Sequence, residues 1–503
     1  MKVVRPSIEV DLMAMDLFGD LVIVIPGILG SRLVRREGSR KVTVWDFSIK
    51  NLPRLLMELA TDSLVFDEQA KPPDDGVEAV GLFNYQLLPG FFGVDDYRPL
   101  IESLGAAVSD PRQLLTFPYD WRASNRFAAQ RLESYALNAL QQWKEVSGNK
   151  SAKLWLVCHS MGGLVARYFC EYLGGAPYTR VIITIGTPHR GSLKALDVLV
   201  NGKKFGPLDL TRMVRSLPSV YELLPLFPAV RVESGDKSAL HRVADFFGLD
   251  PVSGRDSTIA QTANAANNLA PLANLDRGML KRALEFHARI REPAEARTLK
   301  GEPTLYRQEA FFNRRQLTPL SARLNGHTLD ILNTYPYERN GVVHEMVERG
   351  DGKVPSFSSV PIEWSDTRAA IAVADKHAAM QSAINVRDTI INWLRPMDVR
   401  AKKGGSSDDR SVVELNAPAT LQSDEELVVR GAALQPMNVM VWLEHMEKGW
   451  KKTQPMGLPG DNIYGQATFR RLDPGVYRVT AVPADRMAPT VSDYVFVIDP
   501  AWG

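Results

Sequence analysis

A serine, a histidine and a carboxylate that can pass a proton along a line occur here in a telling order, and the serine carries the strongest local signal. Residues 158–163 read Cys-His-Ser-Met-Gly-Gly. The apolar run Leu154 to Val157 before them has the character of a buried parallel strand. Leu164, Val165, Tyr168, Phe169 and Tyr172 after them follow helical spacing. A strand, a very tight turn with a central serine and a helix make a nucleophile elbow. Such a turn lifts the Ser160 hydroxyl to the top of a sheet, within reach of an imidazole. The Met161 N–H then points where an oxyanion would form. The usual pattern, G-x-S-x-G, starts on glycine; here Cys158 takes that place and is small enough for the turn. The plain alternative is a chance serine in a strand-to-helix turn.

Partners for Ser160 come later in the chain. Asp351 sits between two glycines in a loop behind a strand, where a carboxylate can be presented to an imidazole; alone, it would read as an Asp-Gly turn. Among the eight histidines, only His377 and His445 follow Asp351, and His445 falls in a different domain. His377 stands just past the last apolar strand, Ala370 to Ala374, and is read as the base. The order Ser160, Asp351, His377 is that of α/β-hydrolases. A second oxyanion donor belongs on an early strand-to-helix loop. Leu21 to Pro26 is an apolar strand running into Pro26-Gly27-Ile28-Leu29-Gly30, and Ile28 N–H is the candidate. Leu29, Trp121 and His159, beside these turns, are read as substrate-binding residues. For Asp120 and Arg122 a buried ion pair beneath Trp121 is favoured. His189 is read as structural.

These residues require a parallel sheet to position them. Apolar strands are predicted at 21–26, 113–117, 154–157, 181–185 and 370–374, and helices at 97–104, 126–145 and 381–394. Trp45-Asp46 and the Pro-rich stretch near 71–75 lie in a loop-rich region. From about 193 to 326 the strand-helix alternation stops. That stretch is too long for a plain loop; it is read as a helical cap with apolar residues facing the nucleophile, suited to acyl chains. Thr328 to Asn333 returns to strand. Residues 399–410, VRAKKGGSSDDR, form a charged Gly/Ser linker. Beyond it, short β-branched runs at 411–415, 426–429, 439–443, 467–470, 476–482 and 494–498 spell an all-β, immunoglobulin-like sandwich. Tyr477 is placed to tie one of its corners. The expected organisation is an α/β-hydrolase domain over 1–398, the linker, and a β-sandwich accessory domain over 411–503.

Bulk composition narrows the field. The chain has 503 residues, 45% of them hydrophobic, and a formal net charge of +2, which gives no electrostatic case for nucleic acid. Two cysteines, Cys158 and Cys170, make neither a disulfide framework nor a metal site. The first twenty residues carry acids and lack an apolar core, unlike a signal peptide. No uncharged run reaches the roughly 20 residues of a bilayer span. A cytoplasmic location is therefore expected.

Taken together, the motifs resemble the lecithin:cholesterol acyltransferase-like lipases and phospholipases over about residues 20–395. The resemblance rests on Pro-Gly-x-Leu-Gly at 26–30, Tyr-Asp-Trp-Arg at 119–122 and the elbow at 158–162. It also includes Thr-Pro-His-Arg-Gly at 187–191, Pro-Ser-x-Tyr-x-Leu-Leu-Pro at 218–225 and Gly-Asp-Gly-x-Val-Pro at 350–355. It implies Ser160 as nucleophile, Asp351 as acid, His377 as base, Ile28 and Met161 as oxyanion donors, a cap over 193–326 and a glycerolipid ester as substrate. The chain departs from the pattern at Cys158 and in lacking cysteines near the lid, and the C-terminal sandwich lies outside the match. The expected function is a serine-dependent lipid acyl hydrolase or acyltransferase that needs no metal or organic cofactor. It would touch a membrane surface transiently, and residues 411–503 would offer a protein-docking module. The alternatives are a soluble carboxylesterase or thioesterase, and a catalytically idle scaffold used for binding or signalling.

Overall fold

The structure, a computed structural model, describes residues 18–46, 51–67, 75–83, 97–205, 208–234, 237–250, 252–255, 272, 274–339, 342–364, 367, 369–394, 413–418, 420–433, 437–446, 448–456, 464–484 and 490–498. The predicted linker at 399–410, the first seventeen residues and nearly all of the polar stretch 258–274 lie outside these.

Six parallel strands form the central sheet, in the spatial order Ile371–Ala372, Arg307–Phe312, Thr179–Ile185, Leu154–His159, Leu21–Ile25, Leu114–Thr116. The strands buried over nearly their whole length sit in the middle, and the reason is visible in their alternation. Leu21, Ile23 and Ile25 enter one core, together with Leu154, Leu156 and Cys158. Val22, Val24, Trp155 and Val157 enter another. Both faces are covered, so neither set can be polar. Helices Asn125–Ser147 and Gly162–Glu171 pack on one side against the first core; Arg98–Gly105 and Ile384–Leu394 pack together against the second. Asn125–Ser147 starts on the Ser124 side-chain cap and stops at Gly148, whose φ of 72° is left-handed, as a helix C-terminus favours.

Three elements differ from the sequence reading. The stretch 193–326 is not one excursion from the sheet: Arg307–Phe312 returns to it beside Thr179–Ile185. Its polar first half, Arg307, Gln308 and Glu309, is exposed or half-buried, and only Ala310 to Phe312 are buried, so the strand lacks an apolar run. Nor is the described part of that stretch purely helical. Helices Leu193–Val200 and Arg277–Leu299 accompany the hairpin Val230–Ser234/Lys237–His241, which joins Ser321–Asn325 and Thr328–Leu332 in a separate four-stranded sheet. Thr328–Leu332 is thus a strand, as expected, though not of the central sheet. Finally, the region after residue 30 is ordered as an antiparallel sheet of Ser31–Glu37, Arg40–Trp45 and Val77–Leu82. Its hairpin turns on Gly38 and Ser39, with Gly38 at φ 61°.

Beyond residue 412 the chain forms a three-stranded sheet (Val413–Asn416, Leu427–Ala433, Tyr464–Phe469) and a five-stranded one whose edges are Thr420–Gln422 and Lys451–Pro455. The two share a core of alternating residues such as Val441, Leu443, Val479, Ala481, Val495 and Val497. Tyr477 Oη donates to the Asp473 carbonyl at 2.8 Å, closing the predicted corner.

Candidate active site

The buried strand Leu154–His159 delivers Ser160 into a left-handed backbone conformation, φ 49°. A non-glycine residue rarely adopts it, and the strain is tolerated where surroundings over-determine the turn. Here they do. Ser160 N–H donates to the Ile185 carbonyl at 2.9 Å. A Cβ on Gly162 would lie 2.4 Å from the Pro26 carbonyl oxygen, and one on Gly163 would lie 2.1 Å from Thr187 Oγ1. The two glycines are what let the helix pass so close to its neighbours. Cys158 at the first elbow position is fully buried in the sheet, and burial pushes its thiol well above the ordinary value, so it behaves as a small apolar residue.

Asp351 and His377, distant in sequence, converge on this turn. The Ser160 hydroxyl donates to His377 Nε2 at 2.8 Å. His377 Nδ1–H donates to Asp351 Oδ2 at 2.7 Å. The other carboxylate oxygen accepts the N–H groups of Lys353, at 2.9 Å, and Val354, at 2.7 Å. Burial alone would raise the Asp351 carboxyl, but the facing imidazole and these two N–H groups outweigh it and hold it below the usual carboxylate range. It is therefore ionised and can only accept, which fixes the proton on Nδ1 and leaves Nε2 free to take one. All three side chains are buried, at 6%, 1% and 4% exposure for Ser160, Asp351 and His377. The backbone links the last two as well: His377 N–H donates to the Asp351 carbonyl at 3.0 Å.

Ile28 and Met161 lie on the two turns flanking Ser160, and among the described residues neither backbone N–H has a hydrogen-bond acceptor. Two unspent donors beside a serine hydroxyl can stabilise an oxyanion. The Ile28 turn is strapped by aromatic side chains. Tyr119 Oη donates to the Pro26 carbonyl at 2.9 Å, Trp45 Nε1 to the Leu29 carbonyl at 3.2 Å, and Trp121 Nε1 to the Ser31 carbonyl at 3.3 Å. These bonds hold Leu29 at φ 65°.

Leu29, Trp121 and His159 are buried, with Trp121 bonded as above. His159 lies within a network rather than at an open wall. Its Nε2–H donates to the His377 carbonyl at 3.1 Å, so Nδ1 accepts from Tyr97 Oη at 3.0 Å, and that hydroxyl accepts the Gly27 N–H at 2.8 Å. The chain thus ties the Ile28 turn to the His377 backbone. Tyr97 escaped the sequence reading because it carries no motif; it shows only as the start of a short helix. Arg122, fully buried, pairs with Asp120 and Asp75, each at 2.7 Å. His189 is buried, its N–H bonded to the Ser358 carbonyl at 2.8 Å. Among the described residues no cluster of His, Cys, Asp and Glu could hold a metal ion, and no helix is long and apolar enough to cross a membrane.

Comparison with known proteins bears on this site. Residues 67–293 match the family model described as lecithin:cholesterol acyltransferase, a span that holds Ser160 and stops before Asp351 and His377. The chain is 27% identical over 230 residues to lecithin-cholesterol acyltransferase-like 4 of Arabidopsis thaliana, covering 40% of this chain and 42% of that protein. It is 27% identical over 237 residues to lysosomal phospholipase A and acyltransferase of Homo sapiens, covering 41% of this chain and 56% of that one. The chain thus spans about half the length of the curated relatives it matches. A solved chain of the Tle4-Tli4 complex is similar over 76% of this chain and 99% of its own, with 15% identity and a TM-score of 0.46. Over residues 67–293, the segment that carries the elbow, this chain is similar to the lecithin:cholesterol acyltransferase family.

Proposed function

We propose that the protein is a serine-dependent acyl hydrolase or acyltransferase acting on glycerolipid esters, with Ser160 as nucleophile, His377 as base and Asp351 as acid. The observation that carries this reading is the continuous hydrogen-bonded line from Asp351 through His377 to Ser160. As Ser160 Oγ attacks the ester carbonyl, its proton passes to His377 Nε2. Asp351 keeps the imidazole in the required tautomer and stabilises its cationic form. The Ile28 and Met161 N–H groups receive the oxyanion; one such donor typically lowers the barrier by about 3 kcal/mol. Collapse expels the alcohol, which takes the proton from His377 and leaves an acyl ester on Ser160. Water or a lipid hydroxyl then attacks that ester, giving its proton to His377, and Ser160 is released protonated.

The substrate class rests on two further points. The similar human protein is named as a phospholipase A and acyltransferase. Residues between 193 and 306 pack apolar side chains into the same core as the elbow, including Leu196, Val220, Leu224 and Phe286, which ties the segment read as an acyl-accepting cap to the nucleophile's surroundings. We read residues 1–398 as the hydrolase domain and 411–503 as an immunoglobulin-like accessory domain. The test is labelling by a fluorophosphonate together with turnover of phospholipids and p-nitrophenyl esters of graded chain length. The wild-type chain should label and favour long acyl chains. Ser160→Ala should stay folded yet lose labelling and about 10⁴-fold or more of turnover. Retained turnover in Ser160→Ala would overturn the assignment.

A further inference from the structure

The family match ends at residue 293, so Asp351 and His377 themselves lie outside it, although His159 and Ser160 within it bond to His377. Both residues stand on short, irregular pieces. Asp351 follows Arg349–Gly350, a two-residue strand paired with Gln316–Leu317 and by a single bridge with Pro355. His377 opens the 3₁₀ turn His377–Ser382, after the edge strand Ile371–Ala372. A two-residue ladder at a margin does not fix a side chain to the few tenths of an ångström that proton transfer needs.

The β unit that begins at Val413 reaches both pieces. Next to the base, Lys376 Nζ lies 2.7 Å from Asp493 Oδ2, with side chains only 18% and 21% exposed. The strand Val491–Ile498 packs on the 3₁₀ turn itself. Ala374 belongs to the core of the β unit, and Asp375 is buried against it, facing Arg478 and the Ser492 backbone. Next to the acid, Arg349 Nη1 lies 3.2 Å from Glu414 Oε2, and Gln316 Oε1 accepts the Leu415 N–H at 3.3 Å. Val476 and Tyr494 are buried in the main hydrolase core. The β unit is therefore seated on the domain beside the site, and is no freely tethered appendage.

We propose that the C-terminal β unit is a positioning element for the acid and the base: Asp493 and Glu414 hold, through Lys376 and Arg349, the segments that present His377 and Asp351. The proposal rests on the serine-ester reading above. None of these four side chains touches the reacting atoms; they act through their neighbours in sequence. The Lys376–Asp493 pair is partly shielded from solvent and the Arg349–Glu414 pair less so; their geometry specifies where the loops lie.

The test uses the full chain with Asp493→Asn, Lys376→Met, Glu414→Gln, and the exchanged pair Lys376→Asp with Asp493→Lys. Two readouts are taken: steady-state kinetics on a soluble ester, and amide hydrogen exchange of peptides covering 349–354, 374–382 and 154–159. Each single variant should lower kcat about 5- to 20-fold with KM within about twofold, because the loss lies in alignment and not in binding. Exchange should rise in the loop peptide next to the altered residue and stay unchanged in 154–159. The exchanged pair should recover most of the lost kcat, which mere loss of a charge would not allow. Unchanged exchange and kcat in all three single variants overturn the proposal. A wild-type chain inert to esters and fluorophosphonate, whose loop exchange nonetheless rises on Asp493→Asn, overturns the serine-ester reading and supports the positioning role.

Discussion

The two halves of the site are built differently. Ser160 and the oxyanion donors are held by the middle of the sheet: Leu154–His159 is buried along its whole length between Leu21–Ile25 and Thr179–Ile185. Close glycine contacts and aromatic straps then fix the turns. Asp351 and His377 are held at the margin, by a two-residue ladder and by point contacts reaching 117 positions along the chain, as from Lys376 to Asp493. Burial between two flanking strands is continuous and is backed by several straps, so the first half is over-determined. Point contacts are few and remote, so in the second half a single substitution should tell.

Apart from removal of the nucleophile itself, the largest effect should come from the second half. In Asp351→Asn the amide oxygen can still accept the Lys353 and Val354 N–H groups, and the amide N–H₂ then faces His377 Nδ1. That forces the proton onto Nε2, where it blocks transfer from Ser160. A loss of about 10³- to 10⁴-fold in kcat is expected, with little change in melting temperature, read by steady-state kinetics and calorimetry. Retained activity would erase the distinction between the halves.

A smaller effect should come from Tyr97→Phe, in the braced half. The hydroxyl lost stands between the Gly27 N–H and His159 Nδ1, and each buried group left unpaired costs about 1–3 kcal/mol. Because Tyr119, Trp45 and Trp121 still strap the turn, kcat/KM should fall only about tenfold, with the loss in kcat. A fall as large as that of Asp351→Asn would mean the turn hangs on Tyr97 alone.

The same contrast decides what could be read in the sequence. Strands buried on both faces announce themselves as unbroken apolar runs, which is why 21–26, 154–157 and 181–185 were legible and the elbow with them. Arg307–Phe312 was not, because half of it is polar at the sheet's margin. Lys451–Pro455 was missed for a related reason: it is an exposed edge strand with two lysines, a composition that discourages pairing with other chains. The hairpin Ser31–Glu37/Arg40–Trp45 did carry a signal, a two-residue Gly-Ser turn between alternating runs, outweighed by the polar residues around it. Asp351 and His377 were legible by their order and by flanking glycines or strands. What holds them was not, since Lys376–Asp493 and Arg349–Glu414 are ordinary charges until the chain has folded.

The seam between the base-bearing loop and the C-terminal β unit supplies the smallest test. Asp375 is 8% exposed; burial raises its carboxyl to about 6, against the opposing pull of Arg478 and the Ser492 backbone. A folded-state value above the unfolded one means that folding favours the protonated form. Its stabilising effect is complete below about pH 4 and is lost as pH rises through about 6. At pH 8 the ionised carboxylate therefore costs the folded chain about 3 kcal/mol relative to a neutral isostere. Asp375→Asn should accordingly raise the melting temperature by a few degrees at pH 8 and by almost nothing at pH 4, as thermal scans at the two pH values would show. Hydrogen exchange at pH 8 should slow in 374–382 and not in 154–159, because the titrating group sits against the base-bearing loop. An equal gain at both pH values would show that the seam does not titrate, and that the margin of the site is as indifferent to pH as its centre.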